Sequence, residues 1–191
     1  HITTGEIASN GVVQQHMRSI KWSTFSGALL HDGYDVDKVK VNDPDNPIHF
    51  IDYNAGAGVY PVYGICDDGT NAYWVTNATS GSTTKLTVYG KPLTGSSAST
   101  ADEFKIFDNS QIITNGVIDY VKQRLVICAD NKVYECQPLV SSTPTLVYTH
   151  PSTSHVYTSI TASGPAIYLS GYNGSQSTIE KYTLASNGSM P

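Results

Sequence analysis

The sequence predicts an all-β fold: β-propeller-like blades of short antiparallel strands that form part of a larger propeller. Three observations predict it. Ser, Thr, Gly and Asn are abundant beside Val, Ile and Tyr, which is the composition of short strands joined by many turns. Three segments repeat one order of apolar strand, turn, buried strand, turn and alternating strand. The middle strands centre on Trp74, Val126 and Tyr168, so the units recur at a nearly regular spacing. A period of about 40–50 residues with several strands per unit marks a propeller blade. A β-sandwich is the alternative, because it too shows strands about every 8–12 residues.

Residues 1–60 are expected to hold a degenerate blade or a connecting segment. Candidate strands there are residues 19–22 (SIKW), 39–41 (VKV) and 48–51 (IHFI). Residues 11–20 (GVVQQHMRSI) lack Pro and hold several helix formers, so helix, strand and connector all stay open. Residues 61–191 read as three blade-like repeats, about 61–95, 111–140 and 155–187. Their opening strands are 64–66, 116–118 and 159–161. Their buried strands are 73–75, 125–127 and 167–169. Their alternating strands are 85–89, 132–135 and 178–182. Residues 79–84 and 92–100 read as loops, and Asp67-Asp68-Gly69 as a hairpin turn.

The physical case for blades is one of faces and edges. A small antiparallel sheet cannot cover both of its faces alone. Radial stacking covers each face with a neighbour and leaves only short edges. A strand covered on both faces reads as uniformly apolar, like Leu125-Val126-Ile127. A strand with one wet face alternates, as Lys132-Val133-Tyr134-Glu135 does.

Composition also excludes. Hydrophobic residues are 39% of the chain and charged residues only 14%, so it is core-competent and unlike a disordered tail. The net charge is −5 and the eleven Lys and Arg are scattered. A nucleic-acid groove needs clustered positive charge, so no nucleic-acid partner is expected. No apolar run approaches the roughly 20 residues of a membrane span. The chain begins at His1 and reaches Met190-Pro191 with no break in the pattern. Both ends are therefore expected to be cuts in a longer polypeptide.

The last unit, GPAIYLSGYNGSQSTIEKYTLASNGSMP, is the most specific stretch. Its Ala166-Ile167-Tyr168-Leu169 strand leads into a Ser170-Gly171-Tyr172 turn. Ile179-Glu180-Lys181-Tyr182-Thr183-Leu184 follows, then Gly188-Ser189-Met190-Pro191. This pattern resembles a recurring unit in minor tail proteins of actinobacterial siphophages. The likeness is close over this last unit and loose over the two units before it. The resemblance implies a structural virion protein at the tail tip, multimeric with other tail proteins and touching the host envelope. It implies no catalytic residues.

Chemistry-bearing motifs are sparse. There is no Walker loop and no G-x-S-x-G elbow. The stretch Asn54-Ala55-Gly56-Ala57-Gly58 reads as a turn, since the third glycine of a dinucleotide fingerprint is missing. His150 and His155 flank a Pro-Ser-Thr-Ser loop with no Cys or carboxylate nearby in sequence, which argues against zinc. Asp32, Asp35, Asp37, Asp43 and Asp45 could supply calcium oxygens. Their spacing departs from the EF-hand, and a solvated turn pair started by Asp43-Pro44 and Asn46-Pro47 accounts for them. Cys66, Cys128 and Cys136 read as buried thiols, with a Cys128–Cys136 hairpin pair as the alternative. Asn77, Asn173 and Asn187 open N-x-Ser/Thr sequons, a short motif frequent by chance. Asp102, Glu103, Asp108, Asp119 and Asp130 are the carboxylates a glycosidase could draw on, but no two are brought together by sequence.

No catalytic, metal or cofactor site is therefore expected. The expected function is a structural tail module, in the virion or alternatively secreted, that binds a host cell-wall saccharide. Tyr34, Tyr53, Tyr60, Trp74 and Tyr172 are the candidate contacts, because Tyr and Trp join an apolar ring to a polar tip. For each of them a packed strand position is the commoner fate. The alternative is a fragment of a secreted propeller hydrolase or lyase acting on polysaccharide.

Overall fold

The computed structural model describes residues 5–7, 13–15, 19–23, 27–31, 35–40, 42–51, 61–80, 83–95, 100–163 and 166–183. Those residues are all-β, apart from one 3-10 turn at Thr100–Asp102. A ribbon pairs β1 (Gly5–Ile7) with β2 (Val13–Gln15). The first sheet is β3 (Ser19–Ser23), β4 (Gly27–His31), β5 (Val36–Lys40) and β6 (Asp43–Ile51). The second is β7 (Val62–Asp67), β8 (Asn71–Ser80), β9 (Thr83–Pro92) and β10 (Phe104–Asp108). The third is β11 (Gly116–Val121), β12 (Arg124–Ala129), β13 (Lys132–Cys136) and β14 (Thr145–Thr149). The fourth is β15 (Val156–Ser163), β16 (Ala166–Tyr172) and β17 (Ser177–Thr183). Within each sheet the strands lie side by side in chain order and pair antiparallel.

The sheets stack in series, and the parity of the middle strands shows it. On β8, Ala72 and Trp74 join a buried cluster with Leu29, Val36, Phe50 and Ile51 of the first sheet. The alternate residues Tyr73 and Val75 join a second cluster with Ile118, Leu125 and Ile127 of the third sheet. On β12, Leu125 and Ile127 belong to that second cluster, while Val126 and Cys128 belong to a third with Tyr157, Ile167 and Leu169 of the fourth sheet. Side chains alternate across a strand. The second and third sheets are therefore each covered on both faces, by the preceding and following sheet. Each fully buried Leu, Ile or Val contributes about 1.5–3 kcal/mol. A two-layer sandwich would cover each sheet on one face only.

The sheets meet through their first strands. β3 approaches β7, β7 approaches β11, and β11 approaches β15. Gly64 makes the second of these contacts possible. A Cβ on Gly64 would sit 2.8 Å from the Val117 Cα and 3.0 Å from the Gly116 carbonyl oxygen. Two backbones touch there, which only glycine allows.

Several expectations need correction. Within 11–20, residues 13–15 lie in β2 and residues 19–20 in β3, the strand alternative, and the rest lie outside the described residues. Asp43-Pro44 and Asn46-Pro47 start no turn: they lie in β6, the edge strand of its sheet, where a missing N–H can face solvent. Residues 79, 80, 83 and 84 extend the β8–β9 hairpin, and Pro92 ends β9. The second sheet runs on to Asp108 and the third to Thr149, because each has a fourth strand beyond its expected unit. The alternation at 132–135 does not signal a wet face. Glu135 is 3% exposed, and Arg124 reaches it at 2.8 Å. Cys128 faces Val133 and Cys136 faces Leu125, and all three cysteines are free and buried. The hairpin pair is thus excluded, and the two thiols point to opposite faces of the third sheet.

Candidate functional site: the seam between the third and fourth sheets

The loop that carries the chain from β14 to β15 is residues 150–155, and it is held from the β12–β13 turn. The His150 N–H donates to the Asn131 carbonyl at 2.8 Å, and Asn131 Nδ2 donates to the carbonyls of His150 and Ser152 at 3.0 and 3.3 Å. Beside it, Asp130 sits at φ 51°. Its Oδ1 accepts from the Thr114 N–H, the Thr114 hydroxyl and the Asn115 N–H, each at 2.9 Å. Its carbonyl accepts the Tyr157 N–H at 3.1 Å, and Asn115 Nδ2 donates to the Tyr157 carbonyl. One short turn therefore ties the start of β15 to the third sheet.

Side chains from this loop, β15 and β17 converge on the seam. Glu180, from β17, is the acid among them: Oε2 accepts the hydroxyls of Tyr157 and Tyr182, both at 2.7 Å, and Oε1 lies 3.4 Å from His150 Nε2. The Ser152 N–H donates to His150 Nδ1 at 3.1 Å. Nδ1 is thus the acceptor, and the neutral ring carries its proton on Nε2, toward Glu180. His155 stacks on His150 with ring centroids 3.9 Å apart, and Tyr157 meets His155 edge-on at 4.7 Å. Tyr148 of β14 packs on Tyr182 at 5.3 Å. Burial, and then the bond to Glu180, raise the Tyr157 and Tyr182 hydroxyls far above the ordinary phenol range, so both stay protonated donors. His155 is fully buried, and neither ring nitrogen has a hydrogen-bond partner.

A different polar seam joins the first and second sheets. The buried Lys38 ammonium donates to the Leu93 and Gly95 carbonyls at 2.6 and 2.8 Å, and Lys91 donates to the Phe50 carbonyl at 2.9 Å. The two ammoniums lie 5.2 and 5.0 Å from the Phe50 ring centroid. Burial is the leading cause that lowers both lysines from the ordinary value.

The expected contact residues are scattered. Trp74 is 0% exposed and stacks on Tyr89 at 5.8 Å, so it is a core residue and presents no surface. Tyr172 is 45% exposed on the outward side of β16, and its hydroxyl donates to the Gly174 carbonyl. Tyr34, Tyr53 and Tyr60 lie outside the described residues, as do residues 54–58 and Asp32. Asn77 is buried and spent, donating to the Ile113 carbonyl at 2.7 Å and accepting the Ile113 N–H at 3.1 Å. Of the carboxylates, Asp37 pairs with His49 at 3.0 Å, Asp43 accepts from Asn46, and Asp108 binds Lys85 and Lys105. Among the described residues no three His, Cys, Asp or Glu are placed to hold a metal ion. No described helix is long and apolar enough to cross a membrane.

Sequence reasoning named His150 and His155 and missed their setting. Glu180 lies well beyond His155 in the chain and two strands away, and only the β15–β16–β17 meander brings it back. No family model matches the chain, and no curated protein matches it.

Proposed function

We propose that this chain is a structural module of a phage tail tip: consecutive blades of a propeller that assembles with other tail proteins and touches a cell-wall saccharide. The observation that carries the reading is the serial stack, with first strand against first strand, which is how propeller blades pack. Such a stack is a rigid scaffold whose turns and last face are free to make contacts. The outward side of the fourth sheet supports the second half of the reading. Tyr172 lies there with Ile179, which is 79% exposed, and with Lys181 over the Tyr168 ring. The Ser159, Ser170 and Thr158 hydroxyls form a hydrogen-bonded row beside them. An aromatic ring flanked by hydroxyls suits the faces and edges of a sugar. The test is sedimentation of the chain with purified bacterial cell-wall polysaccharide, with Tyr172→Ala as the comparison. Binding that Tyr172→Ala weakens about tenfold supports the reading, since stacked aromatic contacts carry about 1–3 kcal/mol. No binding, or binding indifferent to Tyr172, refutes the saccharide half. Immunogold labelling of virions away from the tail tip refutes the other half.

A second reading is favoured by one specific observation. Glu180, part-exposed with its Oε1 3.4 Å from His150 Nε2, forms a carboxylate–imidazole pair of the kind that moves protons. A secreted polysaccharide hydrolase or lyase could use it. Release of reducing ends or unsaturated sugars that Glu180→Gln abolishes would establish that reading over the first.

A further inference from the structure

The imidazole of His155 sits where a second proton is disfavoured. Its ring is 0% exposed, and neither nitrogen meets an acceptor. His150 covers one face, Tyr157 one edge, and Gly171 closes the side toward Nε2, where any side-chain carbon would collide with the ring. An imidazolium has two N–H donors to satisfy. His150 offers no relief: a second proton there would fall on Nδ1, which already accepts the Ser152 N–H.

Tyr157 of β15 and Glu180 of β17 touch the pair. Around those two lie Tyr182 of β17 on Glu180, Tyr148 of β14 on Tyr182, Cys128 of β12 in the same buried cluster as Tyr157, and Asp130 of the β12–β13 turn, whose carbonyl accepts the Tyr157 N–H. The tyrosines Tyr157 and Tyr182 stay neutral, and burial pushes the Cys128 thiol far up, so it stays neutral too. The Asp130 carboxylate is held by Thr114 and Asn115. One carboxylate, Glu180, is left for two rings, and it already accepts two hydroxyls.

We propose that the stacked His150–His155 pair is an acid-sensitive latch, which holds the fourth sheet on the third while the buried His155 ring is neutral and releases it when that ring takes up a proton. An imidazolium at His155 would lie 3.9 Å from the His150 ring with no acceptor for its new N–H, in the same loop that bears the clasp from Asn131. The direction of the pH response follows from linkage. Seated His155 is held below its ordinary 6.5, by burial first and by His150 second, with Glu180 opposing. Released into water, the ring recovers its ordinary affinity. Below about pH 6.5 the open form binds protons that the closed form refuses, so opening grows as pH falls; above it the latch contributes in full. Opening would bare Tyr157, Ile167 and Leu169 on one side and Val126 and Cys128 on the other.

Hydrogen exchange read by mass spectrometry at pH 7.5 and 5.0, corrected for the intrinsic rate, tests this. Protection of residues 150–183 is expected to fall by about tenfold at pH 5.0 relative to residues 62–108, and His155→Leu should remove that difference. Equal protection at both pH values, or an unchanged acid response in His155→Leu, overturns the latch. If His155→Leu does not fold, the His155 ring resonance of the wild-type protein decides. A ring that stays neutral until exchange rises supports the proposal. One that titrates near its ordinary value without any rise in exchange overturns it.

Discussion

Single residues set the joints of this molecule. The two-residue turn between β11 and β12 puts Lys122 at φ 48° and Gln123 at φ 65°. Both lie in the left-handed region that glycine and asparagine favour and that hairpin twist demands. Gln123→Gly is expected to raise stability by about 1 kcal/mol, or about 2–4 °C in Tm for a chain of this size, measured by thermal unfolding. That turn is readable as a turn from its polar residues, but its strain is not, because neither residue announces a positive φ. Asp130 is the opposite case. Its side chain accepts three hydrogen bonds that Ala cannot, so Asp130→Ala should cost about 2–3 kcal/mol in denaturant unfolding. Asp130→Asn keeps one acceptor oxygen and tolerates φ > 0, so it should cost less. The sequence shows Asp-Asn before a strand, which is enough for a turn. The bonds to Thr114 and Asn115 are invisible there, because they reach back across two whole strands to the start of β11.

At the scale of elements, β8 and β12 were legible because both of their faces are buried, and a doubly buried strand must be apolar; β16, with one face outward, was legible from its Ala-Ile-Tyr-Leu run. The strands β7, β8, β9, β11, β12, β13, β15, β16 and β17 all fall on segments that the pattern singles out. The fourth strands β10 and β14 do not. β14 is Thr-Leu-Val-Tyr-Thr, half exposed along its length, and an edge strand of that kind resembles a polar connector. Where strands cross between sheets, backbone contact decides stability. Gly64→Ala would drive a Cβ into the β11 backbone, so it should destabilise by about 1–3 kcal/mol and shift Gly116 and Val117 amide resonances. Lys38→Met leaves the Leu93 and Gly95 carbonyls without their donor, and it is expected to cost about 1–3 kcal/mol in denaturant unfolding. Neither feature was open to sequence reasoning. Lys38 reads as one more charge in an acidic stretch, and its partners lie in the next sheet's unit, far along the chain.

For the whole molecule, one arrangement accounts for the pattern: sheets laid face to face in chain order and joined at their first strands. It explains why β8 and β12 are buried on both faces, why glycines sit in β7 at Gly64 and in β11 at Gly116, and why the buried polar groups Lys38, Asn77 and His155 occur where sheets meet. Lys38 reaches the Leu93 and Gly95 carbonyls, Asn77 the Ile113 backbone, and His155 stacks on His150, each at or beside such a junction. The periodicity was readable because each sheet repeats the same task. The junction chemistry was not, because no two junctions solve it alike: paired lysines at one, an asparagine clamp at the next, stacked histidines at the third.

Adjacent residues of β12 should report on opposite neighbours, and a methyl–methyl NOE spectrum of protein labelled at Ile, Leu and Val reads that directly. Val126 methyls are expected to show cross-peaks to Ile167 and Leu169 of the fourth sheet, and Ile127 methyls to Val75 and Val88 of the second. Cross-peaks from both residues to a single sheet, or none from one of them, would contradict the serial stack.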